Sequence, residues 1–120
     1  MGTTLSRPGL AVVKEGDVPW SDVTQGMEIT RGLTQAGFTT LGGGWVRMDG
    51  SGELAGWTLK YDEVLYCVSG EIEVEEQDGP TAVAQAGEAI LLGEGTTVTY
   101  RARKPSLIFF VLNPRDWADR

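Results

Sequence analysis

Glu63 and the aromatic residues before it form the part of this sequence best suited to chemistry. The chain has 120 residues and no histidine. This excludes histidine-ligated metal sites, Ser-His-Asp and Cys-His catalysis and a histidine pH switch within one subunit. Acid–base work must then fall to carboxylates, Tyr, Lys or the one Cys. If Glu63 faces inward on a strand, the alternation of side chains places Trp57 and Tyr61 on its face, barring a bulge. A carboxyl group among aromatic side chains has a raised pKa and could act as general acid or base.

Other features of the chain narrow the classes of partner. Cys67 lies in the apolar run 64–68, which favours a buried, inert thiol over a nucleophile and allows no internal disulfide. The net charge of −7 offers no basic face for duplex nucleic acid. No apolar stretch approaches the roughly 20 residues that a membrane helix needs. Residues 1–6 match the loose myristoylation pattern, but that match is frequent by chance, so a plain flexible N-terminus is preferred.

Short strands separated by turns must position these residues. Glycine occurs 17 times and proline 5 times, and no segment after Met27 shows a sustained helical period. Strands are predicted at residues 27–31, 38–41, 45–48, 56–61, 64–68, 71–75, 81–84, 89–92, 96–101 and 106–112, with a bend or bulge at 42–44. Their spacing predicts an all-β jelly-roll barrel. We expect residues 1–24 to form an N-terminal arm packed on the barrel, with Trp20 as lid or anchor, and residues 25–120 to form the domain.

Two segments of the chain resemble the motifs of the cupin superfamily, G-x5-H-x-H-x3,4-E-x6-G and G-x5-P-x-G-x2-H-x3-N. Glu63 and Gly70 have the spacing of the end of the first motif, and Gly87 and Gly95 fit the second. The resemblance covers roughly residues 45–112 and implies a double-stranded β-helix fold. In that alignment the three histidine positions fall on Trp57, Leu59 and Val98.

These departures bear on the metal site that the resemblance would otherwise imply. Of the four ligand positions of the family, Glu63 alone keeps a metal-binding side chain. Because a protein holds a transition metal tightly only with three or four donor groups, we expect neither a metal nor another cofactor.

Within the superfamily, the chain resembles the ethanolamine utilization protein Q family. The resemblance rests on the run 57–63, which ends in Tyr-Asp-Glu, on Tyr66, and on the closing segment Pro114-Arg115-Asp116-Trp117. It implies a cytosolic, dimeric bacterial cupin without the histidine triad and a link to ethanolamine breakdown in microcompartments. An acetate kinase activity is ascribed to that family. Because longer members carry an extra N-terminal region, the chain is expected to be a stand-alone relative with its own substrate.

Strand alternation predicts an aromatic pocket with one acid at its base. Trp57, Tyr61 and Tyr100 are expected to line it around Glu63, with Arg47 and Glu28 as further polar candidates. Each has a structural alternative, because Trp57 could fill the barrel and the tyrosines could pack with wet hydroxyl groups. Glu63 could be held by the backbone or by Arg47, since buried carboxylates are rarely unpaired.

Three functions follow from this pattern. The preferred hypothesis is binding, and conversion, of a small polar organic molecule in the barrel, with Glu63 as acid–base group. The first alternative is a metalloenzyme using Glu63, Glu28 and water, and the second is a non-enzymatic module with a filled barrel.

The apolar strand at 107–111 and the family resemblance predict a homodimer. The acid run 71–76 is expected to be a solvated strand face opposite Arg101 and Arg103.

Overall fold

The computed structural model describes residues 9–120. Residues 1–8, which include the match to the myristoylation pattern and the start of the predicted arm, lie outside the described residues. The elements are β1 (Ser21–Thr24), β2 (Met27–Thr30), α1 (Gly32–Ala36), β3 (Gly42–Met48), β4 (Glu53–Thr58), β5 (Asp62–Ser69), β6 (Glu71–Glu76), β7 (Thr81–Gln85), β8 (Ala89–Leu92), β9 (Thr97–Arg101), β10 (Ser106–Asn113) and a closing 3₁₀ turn (Trp117–Asp119). The predicted all-β class is confirmed.

The strands form two facing antiparallel sheets. One has six strands in the order β1-β2-β3-β10-β5-β8, and the other has four in the order β4-β9-β6-β7. Strands distant in the chain are neighbours, as β10 pairs with both β3 and β5. This order places the last strand, β10, beside β5, the strand that carries Glu63.

Strict alternation of side chains builds the core between the sheets. In β5 and β10 every second residue is buried, and the intervening residues face outward. Leu59, Ile72, Cys67 and Ile108 are almost wholly buried, which confirms the buried thiol. Each such side chain adds roughly 1.5–3 kcal/mol by leaving water, before conformational entropy is subtracted.

Glu71, Glu73 and Glu75 of the acid run alternate with buried Ile72 and Val74 and lie on the outer face of the four-stranded sheet, as predicted. Arg101 donates to Glu53 and Glu75 and is also paired with Glu73, which Arg103 contacts from the other side. The pKa of Glu73 is lowered by its hydrogen bonds from Arg101 and Arg103. Glu73 and Glu75 of the run are therefore neutralised across strands by arginines of β9 and its continuation.

The glycines at 42–44 behave differently from the prediction. They form the first half of β3 instead of a bend, and residues 38–41 are not a strand. A side chain on Gly43 would collide with the carbonyl group of Phe110. Glycine therefore allows β3 to lie against β10 without steric conflict. The five-residue helix Gly32–Ala36 was not predicted, because a single turn shows no period.

The predicted strand at 56–61 lies about three residues too late. β4 covers Glu53–Thr58, and its register against β9 shifts between Leu54 and Trp57. Gly56 has a positive φ of 66° at this bulge. Leu59 is past the strand, and its backbone N–H donates to the Thr96 carbonyl at 2.9 Å.

The division at residue 24 stays a prediction, although β1 bears on it. Ser21–Thr24 pairs with Met27–Thr30 and is the edge strand of the six-stranded sheet. The last four residues of the predicted arm thus belong to the sheet. Across residues 9–120, no helix has the length and apolar character needed to cross a membrane.

Candidate functional site

The two sheets enclose a mainly apolar cavity of about 380 Å³, and side chains of both sheets and of the closing turn line it. Volumes of this order are typical of small-molecule sites. The polar or aromatic lining residues are Asp22, Arg31, Trp57, Tyr61, Glu63, Tyr100, Phe110 and Trp117. The structure therefore brings together Glu63, Trp57, Tyr61 and Tyr100, all predicted from the sequence to share one pocket.

Glu63 is the acid of this cavity. It occupies an inward position of β5, between Leu112 of β10 and Leu92 of β8, and its residue surface is 6% exposed. The Tyr100 hydroxyl group donates to Glu63 Oε1 at 2.9 Å. Burial raises the pKa of Glu63 to about 7, against the opposite effect of this hydrogen bond. Near neutral pH the carboxyl group can therefore either accept or release a proton.

The second carboxyl oxygen of Glu63 faces the cavity. Within residues 9–120, Oε2 has no hydrogen-bond partner, and no fully buried polar side-chain atom lacks one. Oε2 must therefore be accessible, and the cavity is the space that Glu63 lines. This oxygen is available to a ligand or to water.

Tyr61 offers the complementary group. Its hydroxyl oxygen accepts a hydrogen bond from Trp57 Nε1 at 2.9 Å, which leaves the hydroxyl proton to be donated elsewhere. Burial raises the pKa of Tyr61 to about 12, and the Glu63 charge adds to this shift. Burial, followed by the Glu63 charge, also raises the pKa of Tyr100. Both tyrosines therefore remain protonated hydrogen-bond donors at neutral pH.

Trp117 closes one side of the cavity and was not assigned to the site from the sequence. Its ring centroid lies 5.0 Å from that of Tyr61 and 5.8 Å from that of Trp57. The tail that carries Trp117 is attached through Arg115, whose backbone N–H donates to Thr40 O and whose Nε donates to Thr39 O. The sequence signal for Trp117 is the closing Pro-x-x-Trp segment, which supported the family resemblance but was not connected with the pocket.

The prediction that Glu28 and Arg47 belong to the pocket is wrong in placement. They face each other across β2 and β3 on the outer side of the sheet, with Arg47 Nε donating to Glu28 Oε1 at 2.8 Å. Trp20 lies over the Arg47 guanidinium group at 4.1 Å, so it anchors the N-terminal segment outside the cavity. Met27 and Met48 take the inward positions instead. Burying apolar side chains is favourable, whereas burying an ion pair carries a large desolvation cost.

Two charged residues of the cavity were missed. Arg31 follows β2 and immediately precedes α1, and Asp22 lies in the edge strand β1. Both line the cavity. The predicted strand 27–31 included Arg31, but taking Glu28 as inward assigned Arg31 to the opposite face, and Asp22 lies in a strand that was not predicted.

The donor set does not fit the metal site of the resembled superfamily. Glu63 and Glu28 lie on opposite sides of the sheet, so they cannot share an ion as the metalloenzyme alternative requires. Of the former histidine positions, Trp57 lines the cavity, while Leu59 and Val98 are buried in the core. Residues 9–120 contain no group of three or more His, Cys, Asp or Glu that could hold a metal ion.

Comparisons with known proteins agree with this architecture. The chain is 31% identical to an acetate kinase EutQ of Clostridioides difficile over 64 residues. The aligned segment covers 53% of this chain and 40% of that relative. It thus spans less than half the length of this curated relative. The structure of the Clostridium difficile EutQ protein superposes with a TM-score of 0.69 at 24% identity, covering 92% of this chain and 79% of that one. An RmlC-like cupin from Shewanella frigidimarina gives 0.71 at 19% identity, covering 88% and 92%.

The structural neighbours confirm the predicted cupin jelly-roll fold. The family model for ethanolamine utilisation protein EutQ matches residues 13–119, nearly all of the described chain. The chain therefore belongs to the ethanolamine utilisation protein EutQ family.

Proposed function

We propose that this chain binds a small polar organic molecule in the cavity and that Glu63 serves as its acid–base group. The observation that carries the proposal is the Glu63 carboxyl group, which is buried, bonded to Tyr100 through Oε1 and open to the cavity through Oε2. Trp57 and Tyr61 shape the wall beside it. Binding within ethanolamine utilisation, in the cytoplasm, is the setting that family membership supports.

A purely structural role accounts poorly for Glu63. Among residues 9–120 it has no cationic partner, and the predicted pairing with Arg47 is wrong because Arg47 lies outside the cavity. A buried carboxyl group without an ion pair costs stability. Groups kept at such a cost, with a pKa shifted toward neutrality, are concentrated at functional sites.

A binding assay with Glu63→Gln tests this proposal. The substitution keeps the shape of the side chain and the acceptor for Tyr100 but removes the charge and the acid–base function. Ethanolamine, acetate and D-gluconate would be titrated while following the fluorescence of the tryptophans, two of which line the cavity. We expect saturable binding of at least one probe and weakening of about tenfold or more in Glu63→Gln, the loss typical of a charged hydrogen bond.

The matched control is Glu94→Gln, which removes a carboxylate from an exposed loop outside the cavity. This variant should bind as the wild type does. Equal affinities in the wild type and Glu63→Gln, or no saturable binding of any probe, would overturn the proposal. Acetate and ATP added together test whether the kinase activity named for the relatives extends to this chain.

We also propose that the partner of this chain is a second copy. The outer face of β5 and β8 exposes four large apolar side chains, Val64, Tyr66, Val68 and Leu91, the last at 81%. Beside them, Phe109 and Trp45 are half-buried, with ring centroids 5.1 Å apart. We call these six residues the outer apolar face.

Charge does not oppose a copy of the chain as the occupant of this face. Each chain carries a net charge of −7, so contact through acidic surface would be repulsive. The outer apolar face contains no charged residue, and exposed apolar patches of this kind commonly mark protein interfaces. A twofold axis through it would pair the same apolar surface from both copies.

A further inference from the structure

The polar groups at the inner end of the cavity define what they can bind. Glu63 Oε2 is open to the cavity, and the hydroxyl proton of Tyr61 has no acceptor among residues 9–120. A ligand hydroxyl group would satisfy both, because it accepts one hydrogen bond from Tyr61 and donates another to the Glu63 carboxylate.

A cationic side chain lies at the mouth of the same cavity. Among the described residues that line it, Arg31 is the sole cation, and its side chain is solvent-exposed. No carboxylate of residues 9–120 lies within 4.0 Å of its guanidinium group. Its charge nevertheless reaches Tyr61, where it opposes the larger effects of burial and of Glu63 on the tyrosine pKa.

The backbone holds Arg31 in place. Its carbonyl group accepts a hydrogen bond from Gln35 N at 3.0 Å in the first turn of α1. On the other side, Gly44 of β3 packs directly against Thr30 and Arg31, where any side chain would collide with the Thr30 carbonyl group. The guanidinium group is thus attached at a fixed point of the mouth and is not paired with an acid of the described chain.

Asp22 is the competing charge at this mouth. It borders the cavity and also the outer groove that contains Glu28 and Arg47, so it belongs to the rim between them. Arg31 borders the cavity but not that groove. A guanidinium group presents two parallel donors that match a carboxylate, which favours an anionic ligand over a cationic one.

We propose that the cavity recognises a small hydroxylated carboxylate, whose anionic group pairs with Arg31 at the mouth and whose hydroxyl group reaches Glu63 and Tyr61. This inference rests on the proposed function and makes Arg31 the residue that determines ligand charge.

Three six-carbon polyols that differ in charge at one end test it: D-gluconate, neutral sorbitol and cationic glucamine. D-Gluconate should bind the wild type about tenfold or more tightly than sorbitol, as expected for a charge-assisted pair. Arg31→Gln should remove this preference while leaving sorbitol unchanged, and Arg31→Lys should restore part of it. Arg103→Gln, which removes an exposed arginine from the connection between β9 and β10, should leave all three affinities unchanged.

The outcomes separate this inference from the proposed function. If binding depends on Glu63 but Arg31→Gln has no effect on D-gluconate, the inference is wrong and the proposed function stands. The inference is also overturned if the wild type prefers glucamine and Asp22→Asn abolishes that preference, because the mouth would then bind a cation. If none of the three binds the wild type, the inference is wrong, whereas the proposed function is overturned only if ethanolamine and acetate also fail to bind.

Discussion

At the scale of the residue, the defining feature is a buried carboxyl group whose partner is a hydroxyl group. Tyr100 satisfies one oxygen of Glu63 and leaves the other to the cavity. A nearby cation would hold the carboxyl group ionised, whereas burial with a neutral donor raises its pKa to about 7. Glu63 therefore changes charge in the neutral range, where the chain has no histidine to do so.

This shift predicts how stability depends on pH. In the unfolded chain Glu63 titrates near 4.5, and in the folded protein near 7, so between these values the folded state binds more protons. Stability from this group is present below about pH 4.5 and is lost as the pH rises through 7. The loss amounts to roughly 3 kcal/mol.

Urea unfolding of the wild type and Glu63→Gln between about pH 5 and pH 8 measures the effect. The free energy of unfolding of Glu63→Gln should increase relative to that of the wild type as the pH rises. Glu94→Gln should follow the wild type throughout. Parallel curves for Glu63→Gln and the wild type would show that Glu63 titrates alike in both states.

At the scale of the element, most strands could be predicted well. Seven of the ten, β2 and β5 to β10, lie within two residues of their predicted limits, because alternation or apolar runs bounded by turns define them. The inward register of β5 placed Glu63 in the pocket, and β9 placed Tyr100 opposite it. The pair at the base of the site could therefore be found from alternation and the motif.

The orientation of β3 could not be predicted in the same way. Trp45, Val46 and Met48 are apolar on both faces of the strand, so alternation allows either face to point inward. The wrong choice placed Arg47 in the cavity, whereas its neighbours Val46 and Met48 line it. The same wrong choice of face in the predicted strand 27–31 excluded Arg31, which lines the cavity together with Met27 and Ile29.

The closing segment shows a different limit of sequence reasoning. Trp117 lies beside Tyr61 because Arg115 joins the tail to residues Thr39 and Thr40, more than seventy positions earlier in the chain. Such long-range contacts depend on the order of strands in the sheet. They have no counterpart in local composition or spacing.

At the scale of the whole molecule, the two sheets differ in their outer surfaces. The four-stranded sheet carries paired acids and arginines, whereas β5 and β8 present apolar residues to solvent. The first surface is well hydrated and the second is not, so the proposed contact between copies involves the six-stranded sheet. The cavity lies on the inner side of that same sheet.

Dimerisation through the outer apolar face predicts that a charge there separates the copies. Sedimentation of the wild type at micromolar concentration should show a dimer, and Leu91→Asp or Tyr66→Asp should shift it to a monomer. Val83→Asp places the same charge at a half-exposed valine of the other sheet and should leave the dimer intact. A monomeric wild type, or dissociation by Val83→Asp alone, would contradict the proposed interface.

The measurement that tests the central claim most directly is a titration of the Glu63 carboxyl carbon by ¹³C NMR, assigned by its loss in Glu63→Gln. The claim is that this group is buried, lacks a cationic partner and faces a ligand. It predicts a pKa near 7 that changes when D-gluconate saturates the protein. A pKa at the ordinary value near 4.5, unchanged by D-gluconate, ethanolamine or acetate, would contradict the claim.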